Sequence, residues 1–165
     1  MLIQKKIRIL GKDPAPPHTD RLPLEWFETR KRILRRTTLG GIELSLKFLQ
    51  ENPELTEGDV LFESDALLIA VTVIPCNCIV IRPADLLQTA AVCYEIGNRH
   101  LPLYYDDCEL LVPFDKPLMQ LLQQQNIPLT TGERQLLHPL KTTVSPHGES
   151  NSLFSKIIKR TQPAS

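Results

Sequence analysis

The sequence predicts an α+β protein, a β-rich N-terminal part followed by a β-α-β-β-α-β unit, and three observations carry that prediction. Up to Ile74, apolar residues alternate or run continuously over short stretches punctuated by Gly and Pro, which is the pattern of strands. Near Pro75 the pattern changes character, which sets a domain boundary there. Beyond it, helical spacing appears twice, each time between stretches of strand character. The expected units are 1–74, 75–139 and a polar tail over 140–165.

Ile3, Ile7 and Ile9 read as an opening strand, ended by Gly11-Lys12-Asp13-Pro14-Ala15-Pro16-Pro17, because proline fixes φ and removes a hydrogen-bond donor. From Arg21 to Leu49 two or three strands are expected, broken at Gly40-Gly41, with Ile42, Leu44 and Leu46 on one face. Leu55 to Leu61 reads as a turn entering a strand, and Ala66 to Ile74 is a continuous apolar run.

After a strand over Asn77 to Ile81, a helix is expected from about Pro83. Its apolar stripe is Leu86, Leu87, Ala90, Ala91 and Tyr94, and Gly97 suits the left-handed residue past its end. His100 then lies just beyond the helix. Leu101 to Tyr105 and Glu109 to Phe114 read as a hairpin turning at Asp106-Asp107-Cys108. Asp115 suits the N-cap of a second helix carrying Leu118, Leu121 and Leu122, which must stop before Pro128. A strand over Leu129 to Leu137 completes the split unit of ferredoxin-like folds, both helices covering one face of an antiparallel sheet.

Composition narrows the function. Hydrophobic residues are 42% and charged residues 23%, with 19 basic and 19 acidic side chains cancelling, so no global field points to nucleic acid or membrane. No apolar run approaches the roughly 20 residues that span a bilayer, and the N-terminal residues lack the apolar core of a signal peptide, so the expected compartment is the cytoplasm. There Cys76, Cys78, Cys93 and Cys108 are expected as thiols.

No Gly-rich phosphate loop, Gly-x-Ser-x-Gly elbow or His-Glu-x-x-His occurs, and a non-enzyme is expected. Arg30, Lys31, Arg32, Arg35 and Arg36 beside Trp26 and Phe27 form a cationic patch, read either as a solvated strand edge paired with Glu25 and Glu28 or as a partner surface. Cys76 and Cys78 share one face of a strand, yet no second pair or nearby His completes the four ligands of structural zinc, so they read as small core residues. Cys93 reads as core and Cys108 as exposed, an accessory ligand at most. Spacing alone leaves His100 a lone imidazole, more often a hydrogen-bonded structural group than a ligand. A two-fold dimer whose axis passes beside it would pair it with its own copy, and His147 in the tail could complete such a set.

Tyr94-Glu95-Ile96-Gly97-Asn98-Arg99-His100-Leu101-Pro102-Leu103 resembles the most characteristic segment of the urease accessory nickel metallochaperones, the UreE family. Glu28 to Glu43 is similar to that family's Arg-rich strand followed by Thr-x-x-Gly-x-Glu, here Thr38 to Glu43. Leu55-x-x-Gly58-Asp59-Val60-Leu61 and Val112-Pro113-Phe114-Asp115 match further family segments in the right order.

The resemblance implies an N-terminal domain related to the peptide-binding domain of Hsp40-type chaperones and a ferredoxin-like domain that binds metal and dimerises. It also implies His100 as an interfacial ligand for Ni2+, one from each subunit of a homodimer, and delivery to the urease apoprotein through the pathway's accessory GTPase. Zn2+ or Cu2+ would bind in vitro, since imidazole accepts all three. Only neutral imidazole ligates, so occupancy should fall below the ordinary histidine pKa of about 6.5. Two departures stand out: Phe114 and Lys116 occupy places where several members carry histidine, and this tail offers only His147. His18 and His138 have no motif support. The rival reading is an interaction module whose N-terminal domain binds an extended partner segment along an exposed strand, metal being incidental.

Overall fold

The computed structural model describes residues 1–11, 15–50 and 52–140. The N-terminal part is built from two sheets. One has the order β1-β5-β4, from Leu2–Ile3, Glu43–Lys47 and Ile33–Thr37; the other has the order β2-β6-β7-β3, from Arg8–Ile9, Asp59–Glu63, Leu68–Val73 and Thr19–Leu24. The expected opening strand is thus two short pieces in different sheets, with Ile7 and Ile9 exposed.

Between the sheets lies one core. Ile3, Leu44 and Leu46 come from the first sheet, and Leu22, Leu24, Leu61, Ile69, Val71 and Val73 from the second. The alternation Leu44-x-Leu46 supplies an inward face from a half-exposed strand, as period-2 spacing requires. The continuous apolar run of β7 is buried on both faces, Val60, Leu68 and Ala70 forming a second cluster behind it.

Charge fixes the turns. Glu28, fully buried, takes Arg36 through paired hydrogen bonds, with the Lys31 ammonium 3.7 Å away. Burial by itself would raise the Glu28 carboxyl, but the bonds from Arg36 and the Glu25 amide hold it below the usual carboxylate range. Asp20 accepts from the amides of Arg21 (2.7 Å) and Gly40 (2.9 Å), tying the β4–β5 turn to β3.

The second domain runs β8 (Cys76–Ile81), α1 (Leu86–Asn98), β9 (Tyr104–Asp106), β10 (Glu109–Pro113), α2 (Lys116–Gln124) and β11 (Leu129–Arg134). Its sheet order is β11-β8-β10-β9 with every pairing antiparallel, the ferredoxin-like arrangement. Ile79, Ile81 and Val112 on one face of the sheet meet Val92 and Ile96 of α1 and Leu118 and Leu122 of α2. Both helices start on aspartate caps: Asp85 accepts from the Gln88 amide and Asp115 from that of Leu118, each satisfying a donor that the first turn leaves free. The first helix therefore begins at Leu86, later than Pro83 suggested, because Asp85 is the residue able to cap it.

The opposite face of the sheet, Cys78, Val80 and Leu111, is covered by Tyr104, Leu136 and the Trp26 indole of the first domain. Trp26 stands edge-on to Tyr104 with ring centroids 6.2 Å apart, and the Gln135 side-chain amide donates to the Val73 carbonyl at 2.8 Å. The two domains thus share an apolar seam.

Candidate metal site

His100 sits where α1 ends, and the backbone explains how. Leu101 donates its N–H to the Ile96 carbonyl (3.2 Å) and His100 to that of Gly97 (3.0 Å), the two bonds of a Schellman motif, in which the residue past the cap is left-handed. That residue is His100 itself, at φ 54°, whereas Gly97 lies within the helix. The apolar pair that accompanies such a cap is Ile96 with Leu101, both in the helix-side core. Read as cap partners, these two residues would have pointed to position 100 from the sequence. The second helix ends identically, with Asn126 at φ 55° and Ile127 donating to Leu122.

His100 is exposed, and among the described residues no hydrogen bond or ion pair engages its imidazole. The apolar stripe read from the sequence is exposed too: Leu86, Leu87 and Tyr94 are 84%, 80% and 70% accessible, while Val92 and Ile96 make the buried face. The first helix is apolar on both sides, and the exposed His100 directly follows its C-cap, Arg99.

Among the described residues no three His, Cys, Asp or Glu side chains converge as a metal-binding group. A chain on its own therefore presents one nitrogen donor at this position, and any firm site needs donors from elsewhere. His147 lies outside the described residues. The last described segment is placed beside the site: the Leu140 amide donates to the Leu103 carbonyl at 2.8 Å, and Tyr105 donates to His138 at 3.0 Å. No sequence signal announced this return of the chain to β9, because it rests on single backbone bonds at a sheet edge.

The other candidates separate. Phe114 is exposed and Lys116 begins the second helix. His18 is exposed, and His138 stacks obliquely near Tyr105. Cys108 is exposed in the β9–β10 turn, beside a depression of about 480 Å3 lined by Arg82, Pro83, Asp106, Asp107 and Glu109, where Arg82 and Glu109 pair at 2.5 Å. Burial pushes the Cys78 thiol up to about 12 and raises Cys76 and Cys93 as well, so none of the three is an activated thiolate. No helix among the described residues is long and apolar enough to cross a membrane.

A β-sandwich joined to a ferredoxin-like domain that exposes a histidine past a helix cap defines the class, a two-domain α+β protein. The model of the UreE urease accessory protein N-terminal domain matches residues 4–74, and that of the C-terminal domain matches 76–150. Among similar proteins, the urease accessory protein UreE of Flavobacterium johnsoniae is 42% identical over 141 residues, 84% of this chain and 86% of its own. That of Acetivibrio thermocellus is 38% identical over 81% of this chain and 85% of its own, and that of Helicobacter pylori 35% identical over 92% of each. The chain belongs to the UreE family of urease accessory proteins.

Proposed function

We propose that the chain is a nickel carrier of urease maturation, acting as a homodimer in the cytoplasm and handing Ni2+ to the accessory GTPase and the urease apoprotein, with no bond-making chemistry of its own. The observation that carries this reading is the exposed His100 at the end of a helix whose outer face is apolar. Burying Leu86, Leu87 and Tyr94 against their own copies across a two-fold axis would bring two imidazoles together, since isologous contact makes each residue meet its twin. Four free thiols fit a reducing compartment.

His147 is the third donor of this proposal. Seven residues separate it from Leu140, a reach of at most about 25 Å, and Leu140 is held to Leu103, three residues from His100. Few ligands, one of them arriving from a tail, suit a carrier, because a recipient can displace them one at a time. Residues 1–74 then serve as the partner-binding unit, 75–139 as the metal-binding and dimerisation unit, and 140–165 as the tail that supplies His147. The β4 strand supports the first assignment: it borders only β5, so half its backbone groups face outward, and Arg35 on it and Arg30 and Arg32 just before it stand exposed.

Calorimetric titration of nickel tests the site. One ion per dimer is expected, lost in His100→Ala and weakened in His147→Ala; undiminished binding by His100→Ala would sink the proposal, and undiminished affinity in His147→Ala would remove the tail from it.

A further inference from the structure

Cys76 and Cys78 pack in the seam between the domains and take no part in the site at His100. Two residues apart on β8, they project from one face of the strand, the face turned away from both helices. Their Sγ atoms lie 3.5 Å apart, inside the seam formed by Tyr104, Leu111, Leu136 and Trp26. Cys78 is fully buried, whereas Cys76 keeps partial access to solvent.

A disulfide does not suit this pair. Two steps along an extended strand separate the Cβ atoms by roughly 6.6 Å, against the roughly 3.5–4.5 Å that a disulfide requires. Closing the gap would buckle β8, which is held on both sides: Cys78 lies opposite Pro113 and Gly132, and Cys76 opposite Arg134.

A metal ion can join the sulfurs without moving the backbone. With metal–thiolate bonds of about 2.3 Å, sulfurs 3.5 Å apart subtend about 100° at the ion, and linear coordination asks for roughly 4.6 Å, within reach of a turn about χ1 of Cys76. The donor count then selects the ion. Zinc needs four ligands, and among the described residues no third His, Cys, Asp or Glu completes a group here. A monovalent d10 ion is satisfied by two thiolates, and soft sulfur prefers Cu(I) to the harder divalent ions. The oxygens nearest the sulfurs are the Cys76 carbonyl, 3.3 Å from Cys78 Sγ, and the Arg134 carbonyl at 4.0 Å, hard donors that a soft ion prefers less than thiolate.

We propose that Cys76 and Cys78 form a two-coordinate site for Cu(I), separate from His100. Binding breaks two S–H bonds and forms two Cu–S bonds, releases two protons to solvent and transfers no electron. The complex carries one negative charge, and Arg134, electrostatically coupled to Cys78, opposes it.

The test is an anaerobic titration of reduced, metal-free full-length protein with Cu(I) in competition with the chromophoric chelator bicinchoninate. One Cu(I) per chain is expected, retained in His100→Ala and in the double variant Cys93→Ala/Cys108→Ser. Cys76→Ser should bind at least a hundredfold more weakly, and Cys78→Ala, checked for native circular dichroism, should do the same. Failure of the wild type to compete for copper, unchanged binding in Cys76→Ser, or loss of copper in His100→Ala or in the double variant would each overturn the proposal.

Discussion

Replacing His100 by glycine should make the metal-free protein more stable while abolishing nickel binding. At φ 54° the position is left-handed, where a side chain costs roughly 1–2 kcal/mol and glycine costs nothing. Histidine tolerates the region better than most residues, and glycine gives some of the gain back through the entropy of the unfolded chain. The net expectation is a gain of about 0.5–1 kcal/mol, or about 1–4 °C in melting temperature for a chain of this length. His100→Ala keeps the strain and should sit at or slightly below wild type. The assay is thermal and urea unfolding followed by helical circular dichroism, with and without nickel. Without metal the order should be Gly above His, and His at or above Ala. With free nickel a hundredfold above its dissociation constant, binding of one ion adds about 2.7 kcal/mol per dimer, about 1.35 kcal/mol per chain, to the wild type alone, and the order of Gly and His should invert. A glycine variant no more stable than the alanine variant would refute the cap geometry. A glycine variant that still gains stability from nickel would refute the role of the imidazole.

Three further outcomes are expected. Asp115→Ala should lose about 1 kcal/mol, measured by urea unfolding, because the Leu118 amide at 2.7 Å is left without its acceptor. Glu28→Gln should lose about 2 kcal/mol at pH 7, because the buried carboxylate is the partner of Arg36 and Lys31. The Glu28 carboxyl is lowered in the fold, so its contribution is present above the unfolded pKa of about 4.3 and fades as pH falls through the lower folded value. Stability curves of wild type and Glu28→Gln should therefore converge in acid, and parallel curves would count against the ion pair. Gly40→Ala places a Cβ 2.6 Å from Oδ2 of Asp20, whose other oxygen is held by the Arg21 and Gly40 amides, and should cost about 1–3 kcal/mol by the same unfolding assay.

The second domain was more legible in the sequence than the first because its signals are local. Asp115 caps the helix expected of it, and the hairpin turns at Asp107 and Cys108, with Asp107 at φ 51°. The first domain depends on pairings between distant segments: β1 joins β5 in parallel across some 40 residues, and β3 joins β7 likewise, which no window of sequence displays. The stripe of Leu86, Leu87, Ala90, Ala91 and Tyr94 shows a different difficulty. Periodicity reveals that a face is apolar but not what covers it, and the sheet took the Val92 and Ile96 face. His100 was found through its neighbours in sequence, while its left-handed backbone was missed because Gly97 seemed the natural occupant.

The seam between the domains carries a thermodynamic consequence. Trp26 leaves β3 and leans on Tyr104, four residues beyond His100 and next to the carbonyl that holds Leu140. A partner of the first domain that shifted that indole would press on the strand where the chain's last described segment is fastened. Coupling of this kind is reciprocal: a partner that loosens the cargo by some factor is itself bound more weakly, by the same factor, when the cargo is present. Handover and release of the recipient would then be two readings of one coupling free energy.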